Sequence, residues 1–156
     1  MNNKDDIDFS SIIPIEDLNK ETLCNVSETY HSAKEYMENQ KWCIRILESY
    51  LGIGEGEILG VFWFKIIPSD EKIEEYLWVV VGDLPPLYLV TEVAATPAAA
   101  LLRYIEVMTV WADAAIAQTD HSDLPPIEAD FSKENGIALQ TRLKLLREYL
   151  SENYSI

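Results

Sequence analysis

The sequence predicts an α+β fold: a three-stranded antiparallel β-meander over residues 57–91, packed with an N-terminal amphipathic helix and two C-terminal helices. Three observations carry that expectation. Tyr76-Leu77-Trp78-Val79-Val80-Val81 is an apolar run rich in β-branched and aromatic side chains, as a strand covered on both faces requires. Gly82-Asp83-Leu84-Pro85-Pro86 then stops the ladder, because the prolines lack amide donors and fix φ, and Leu87–Val90 resumes so soon that it must run antiparallel. Finally, Thr96-Pro97 opens a helical pattern with a capping hydroxyl followed by a proline suited to the first turn.

The elements follow in order. Residues 1–14 are polar and acidic apart from an apolar anchor at Ile12-Ile13-Pro14-Ile15, and are expected to form a mobile N-terminal segment ahead of one α+β domain over residues 15–156. A short helix is read from Glu16 to Cys24. Ala33, Tyr36, Met37, Gln40, Cys43, Ile44, Leu47 and Leu51 recur at three- and four-residue spacings, which predicts an amphipathic helix from Ser32 to Leu51. Gly52 and Gly54 stand where such a helix would end. Glu57–Ile67 reads as the first long strand, Pro68–Lys72 as a polar turn, and Ile73–Glu75 as the approach to the central run. The helix opened at Thr96-Pro97 carries Leu101, Ile105, Met108 and Ala112 to about Gln118, with Met108 and Trp111 assigned to packing. Ser132 caps the last helix, whose Leu139, Leu143, Leu146 and Leu150 form a narrow stripe.

Charge narrows the classes of partner. The chain has 27 acidic against 12 basic residues, a formal net charge of −15, so direct binding to nucleic acid or an anionic membrane is disfavoured by the sign of the field. A basic protein is favoured by the same sign. Between Arg103 and Lys133 there is no Lys or Arg, while Glu106, Asp113, Asp120, Asp123, Glu128 and Asp130 all occur. Such a segment is either a solvated face that aids solubility or a docking face for a cationic partner. The N-terminus has neither the basic nor the apolar region of a signal peptide and no apolar run reaches transmembrane length, so a cytoplasmic protein is expected.

The motifs with chemical potential are weak. Cys24 and Cys43 lack metal-site spacing, and Cys43 is read as a small buried side chain. Gly52-Ile53-Gly54-Glu55-Gly56 fails as a phosphate loop because it contains no Lys and precedes a strand instead of a helix. It is read as the reversal from helix to sheet. Asp120-His121-Ser122-Asp123 lacks a recognised metal spacing, and His31 is placed at a helix start as a surface or capping group. No catalytic group, cofactor or metal is expected. Leu124-Pro125-Pro126 echoes Leu84-Pro85-Pro86, but the flanks differ, which points to shared turn chemistry and not to a repeat.

The block from Tyr76 to Pro86, with Tyr88-Leu89-Val90-Thr91 and Thr96-Pro97 behind it, resembles a group of small, acidic, uncharacterised bacterial proteins that place a helix before and after it. The resemblance spans residues 33–118, implies a bacterial or phage origin and brings no activity with it.

Three functions compete. The first is an interaction protein that neutralises or regulates a basic protein partner, in the manner of an immunity protein, through Trp111, Asp113, Asp120, Asp123, Glu128 and Asp130, with an exposed Trp111 or Trp42 as anchor. The alternative is an enzyme or small-molecule binder with Asp83, Tyr88 and His31 in a pocket between sheet and helices. The third is an oligomer subunit that buries the C-terminal leucine stripe.

Overall fold

The computed structural model describes residues 4–155. Its sheet has five antiparallel strands in sequence order: β1 (Ile13–Pro14), β2 (Cys43–Glu55), β3 (Leu59–Pro68), β4 (Tyr76–Gly82) and β5 (Leu87–Val90). Three α-helices lie among the described residues: α1 (Lys20–Glu38), α2 (Pro97–Ala117) and α3 (Lys133–Asn153). The α+β class agrees with the sequence, but the three-stranded meander is corrected to five strands. Its members β3, β4 and β5 are continued by β2 and by the short β1, which pairs with Tyr50 and Leu51.

The error lies in the expected helix from Ser32 to Leu51. Ala33, Tyr36 and Met37 do form a buried helical face, but the helix is α1, which starts at Lys20 under an Asn19 cap (Thr22 N–H to Asn19 Oδ1, 2.8 Å) and ends at Glu38. After a turn the chain re-enters as β2. Three irregularities interrupt the β2–β3 register, between Cys43 and Arg45, Ile46 and Glu48, and Leu51 and Ile53. Each bulge adds a residue and shifts which side chain faces inward, so the period-two pattern is lost and helix-like spacings arise by accident. Gly52 and Gly54 are strand residues at close approaches, not helix ends: a Cβ at Gly52 would lie 2.5 Å from Cγ of Pro97, and one at Gly54 would collide with Cγ1 of Val26. The reversal assigned to this glycine-rich stretch therefore narrows to the β2–β3 turn, where Gly56 adopts a φ of 58°.

Each sheet face is covered. On one, α1 buries Val26, Ala33, Tyr36 and Met37 against Leu51, Phe62, Phe64, Leu77 and Val79. On the other, α2 packs Leu101, Tyr104, Ile105 and Met108 onto Trp63, Trp78 and Val80. This explains why β3 and β4 read as continuous apolar runs: both their faces are interior. The leucine stripe of α3 is buried in the second core, so its docking inside the chain removes the basis for an oligomer built on that stripe. Ile7 and Ile12 are also buried, and the Asp8 amide donates to the Ala95 carbonyl at 2.9 Å.

The corner after β4 forms as its residues require. Gly82 has a φ of 140°, and the Asp83 amide donates to the Ile58 carbonyl at 2.9 Å. Arg142 on α3 reaches Asp83 at 3.3 Å. Thr96 and Ser132 cap α2 and α3 through 3.1 Å bonds from the amides of Ala99 and Asn135.

Candidate protein-interaction surface

The long connection between α2 and α3 carries most of the sequence-predicted site. It leaves α2 at Gln118, whose left-handed backbone (φ 53°) ends the helix, and it is folded back on itself. Gln118 Nε2 donates to the Phe131 carbonyl at 3.2 Å, and the His121 ring stacks on Phe131 with centroids 3.6 Å apart. Phe131 in turn meets Trp111 edge-on at 5.7 Å. The result is a pinned loop that displays Asp120, Asp123, Glu128 and Asp130 to solvent, with exposed Asp113 on the adjoining helix.

None of these five carboxylates takes part in an ion pair among the described residues. Asp113 accepts a long contact from Gln140 at 3.5 Å. Asp120 accepts from the amide and hydroxyl of Ser122, and these hydrogen bonds to its charged form hold the carboxyl below its ordinary range. No three His, Cys, Asp or Glu side chains converge on a metal-sized site among the described residues.

Trp111 is placed differently from its expected exposed role. It is 3% exposed and belongs to the core, as its helical spacing had indicated, so it supports the loop from beneath. Of the two tryptophans expected as anchors, Trp42 is the accessible one, half-buried in the turn between α1 and β2 and edge-on to Tyr88 at 5.0 Å. A groove of about 440 Å³ runs past it. Its walls include Tyr36 and Trp42 from one side of the sheet and Val107 from the other, so the groove crosses the edge at β5, with Pro125 and Pro126 contributing a further wall. Burial pushes the Tyr36 phenol up to about 12; its hydrogen bond with the Tyr88 backbone opposes the shift, while Tyr88 and Glu128 add repulsion.

The residues of the small-molecule reading are not brought together. Asp83 lines a recess of about 220 Å³ with Trp111 and Arg142, whereas Tyr88 lines the groove. His31 lies within α1, not at its start, and pairs with Glu35 at 3.5 Å on the helix surface. Cys43 is buried, on a strand and not in a helix, and burial raises its thiol pKa. Sequence reasoning missed the groove because its walls come from four separate stretches. One signal was present: the two Leu-Pro-Pro corners lie near each other, since Pro86 and Pro126 line adjoining hollows that share Tyr36 and Glu128.

No helix among the described residues is long and apolar enough to cross a membrane. Comparison of the chain with protein-family models, curated proteins and solved structures returned no match.

Proposed function

We infer that this chain is an acidic interaction protein that binds and neutralises or regulates a basic protein partner, as an immunity protein does. The observation that supports it is the set of exposed carboxylates Asp113, Asp120, Asp123, Glu128 and Asp130, none in an ion pair and four of them on a loop held in shape by Gln118, His121 and Phe131. Uncompensated charge of one sign, added to a net charge of −15, accelerates encounter with a cationic surface and repels anionic ones. A loop ordered before binding loses less conformational entropy on docking. Trp42 replaces Trp111 as the aromatic anchor beside this surface, since only Trp42 is reachable.

The test is affinity capture from the native cell at low and moderate salt, run in parallel with a variant carrying D113N, D120N, D123N, E128Q and D130N. The expected result is a basic protein retained by the native chain at low salt, released as salt rises, and lost with the variant. Retention of no basic protein, or capture indifferent to salt and to the substitutions, overturns the reading.

A further inference from the structure

The groove at β5 adjoins a second hollow of about 250 Å³, and the two share Tyr36 and Glu128. Their linings differ in chemistry. The groove presents Trp42, Tyr88, Pro125 and Pro126, which make an apolar, largely rigid wall. The hollow presents the carboxylates of Glu35 and Glu128 with the polar side chains of Ser32 and Asn39. No Lys or Arg lines either one. Glu128 has no ion-pair partner among the described residues, and Glu35 has only the exposed His31.

We propose that groove and hollow together form the docking site for an extended segment of a basic protein partner, with an apolar side chain seated against Trp42 and Tyr88 and a neighbouring Lys or Arg seated between Glu35 and Glu128. The proposal rests on the interaction-protein reading and deepens it, because it specifies a sequence pattern in the partner where the acidic loop specifies only its charge. Charge complementarity selects the occupant: two carboxylates with no basic neighbour in the wall favour a cation, and the adjoining apolar wall favours that cation on a chain that also carries a hydrophobic residue. The groove is lined by Leu87, Tyr88 and Leu89 of β5, an edge strand that a linear segment can follow. Tyr36 lines both halves and forms a wall they share.

The probes are acetylated, amidated Gly/Ser peptides carrying one Leu and one Arg, adjacent or separated by one or two residues, and matched peptides with citrulline for Arg or Gly for Leu. They are titrated into the full chain and followed by NMR through the Trp42 indole and the backbone amides of residues 35–42 and 86–89. At least one Leu/Arg spacing is expected to shift these signals saturably, with citrulline weakening binding about fivefold, as expected for solvent-screened ion pairs. E35Q, which removes one of the two carboxylates facing the cation, should weaken the Arg peptide by about twofold and leave the citrulline peptide unchanged, and W42A should abolish the response to both. Equal binding of the Arg and citrulline peptides, or no saturable shift with any spacing, overturns the proposal. A captured basic protein whose affinity is unchanged by W42A and E35Q but lost with D113N, D120N, D123N and D130N also overturns it, while leaving the broader reading intact.

Discussion

The hydroxyl of Tyr104, in the middle of α2, donates a 2.6 Å hydrogen bond to the carbonyl of Pro85, in the corner between β4 and β5. The residue is fully buried, and burial holds its phenol protonated well above the ordinary range, so it remains a donor. Through this bond the corner that lines the hollow beside the groove is tied to the helix layer. Y104F removes the donor and leaves the carbonyl without its partner. It should cost about 1–2 kcal/mol, read as a lower urea midpoint, with faster amide exchange confined first to residues 82–88. An unchanged midpoint and exchange pattern would show that the corner holds itself.

Thr91 makes a second tie of this kind. Its hydroxyl accepts from Nε1 of Trp63 at 2.9 Å and donates to the Tyr76 carbonyl at 2.8 Å, all within the core. T91V is nearly isosteric but leaves an indole N–H and a carbonyl unsatisfied, so about 3 kcal/mol of stability should be lost. T91S keeps both bonds and loses one methyl group, for about 1 kcal/mol. Chemical denaturation of the two variants gives the ordering directly.

The strand assignment of residues 43–55 predicts a specific coupling. G54A should destabilise by about 2 kcal/mol through overpacking against Val26, which is fully buried. In the G54A/V26A double variant the two changes should compensate in part, so that the combined loss falls short of the sum by about 1 kcal/mol. Strict additivity would mean that Val26 does not face this glycine.

Alkaline pH should unfold the protein. Burial raises the phenols of Tyr36 and Tyr50 to about 12, and those of Tyr104 and Tyr149 are raised as well. A raised phenol pKa means that the native chain holds a proton that the unfolded chain releases near pH 10. The contribution is therefore complete below about pH 10 and is lost as pH climbs toward 12, with a slope of up to about 1.4 kcal/mol per pH unit for each of the buried Tyr36 and Tyr104. Denaturant midpoints measured across that window should fall together with a cooperative rise in tyrosinate absorbance. A midpoint that stays flat through pH 12 would contradict these environments.

How far the sequence revealed the molecule can be traced to particular residues. Thr96, Pro97 and Ser132 act locally, and the helices they begin lie where their chemistry places them. Tyr76–Val81 also announced itself, because a strand covered on both faces is apolar without interruption. The β2 strand did not: its bulges and its half-exposed edge scatter Ile44, Ile46 and Leu47 between solvent and interior, and the true helical face of Ala33, Tyr36 and Met37 ran into it without a visible break. At the candidate surface, the charge of the α2–α3 loop was legible because charge is a property of composition. The burial of Trp111 beneath Phe131 and the meeting of Trp42, Tyr88 and Pro125 depend on tertiary packing, which no local pattern records.

On the reading proposed above, uncompensated carboxylates on the α2–α3 loop, with neighbouring Asp113, hold a cationic protein. This is tested by the dissociation constant of the captured basic partner against salt concentration, for the native chain and for the variant with D113N, D120N, D123N, E128Q and D130N. Binding by the native chain should weaken steeply with salt, and the variant should bind more weakly with a much shallower dependence. Identical affinities and slopes for the two proteins would contradict it.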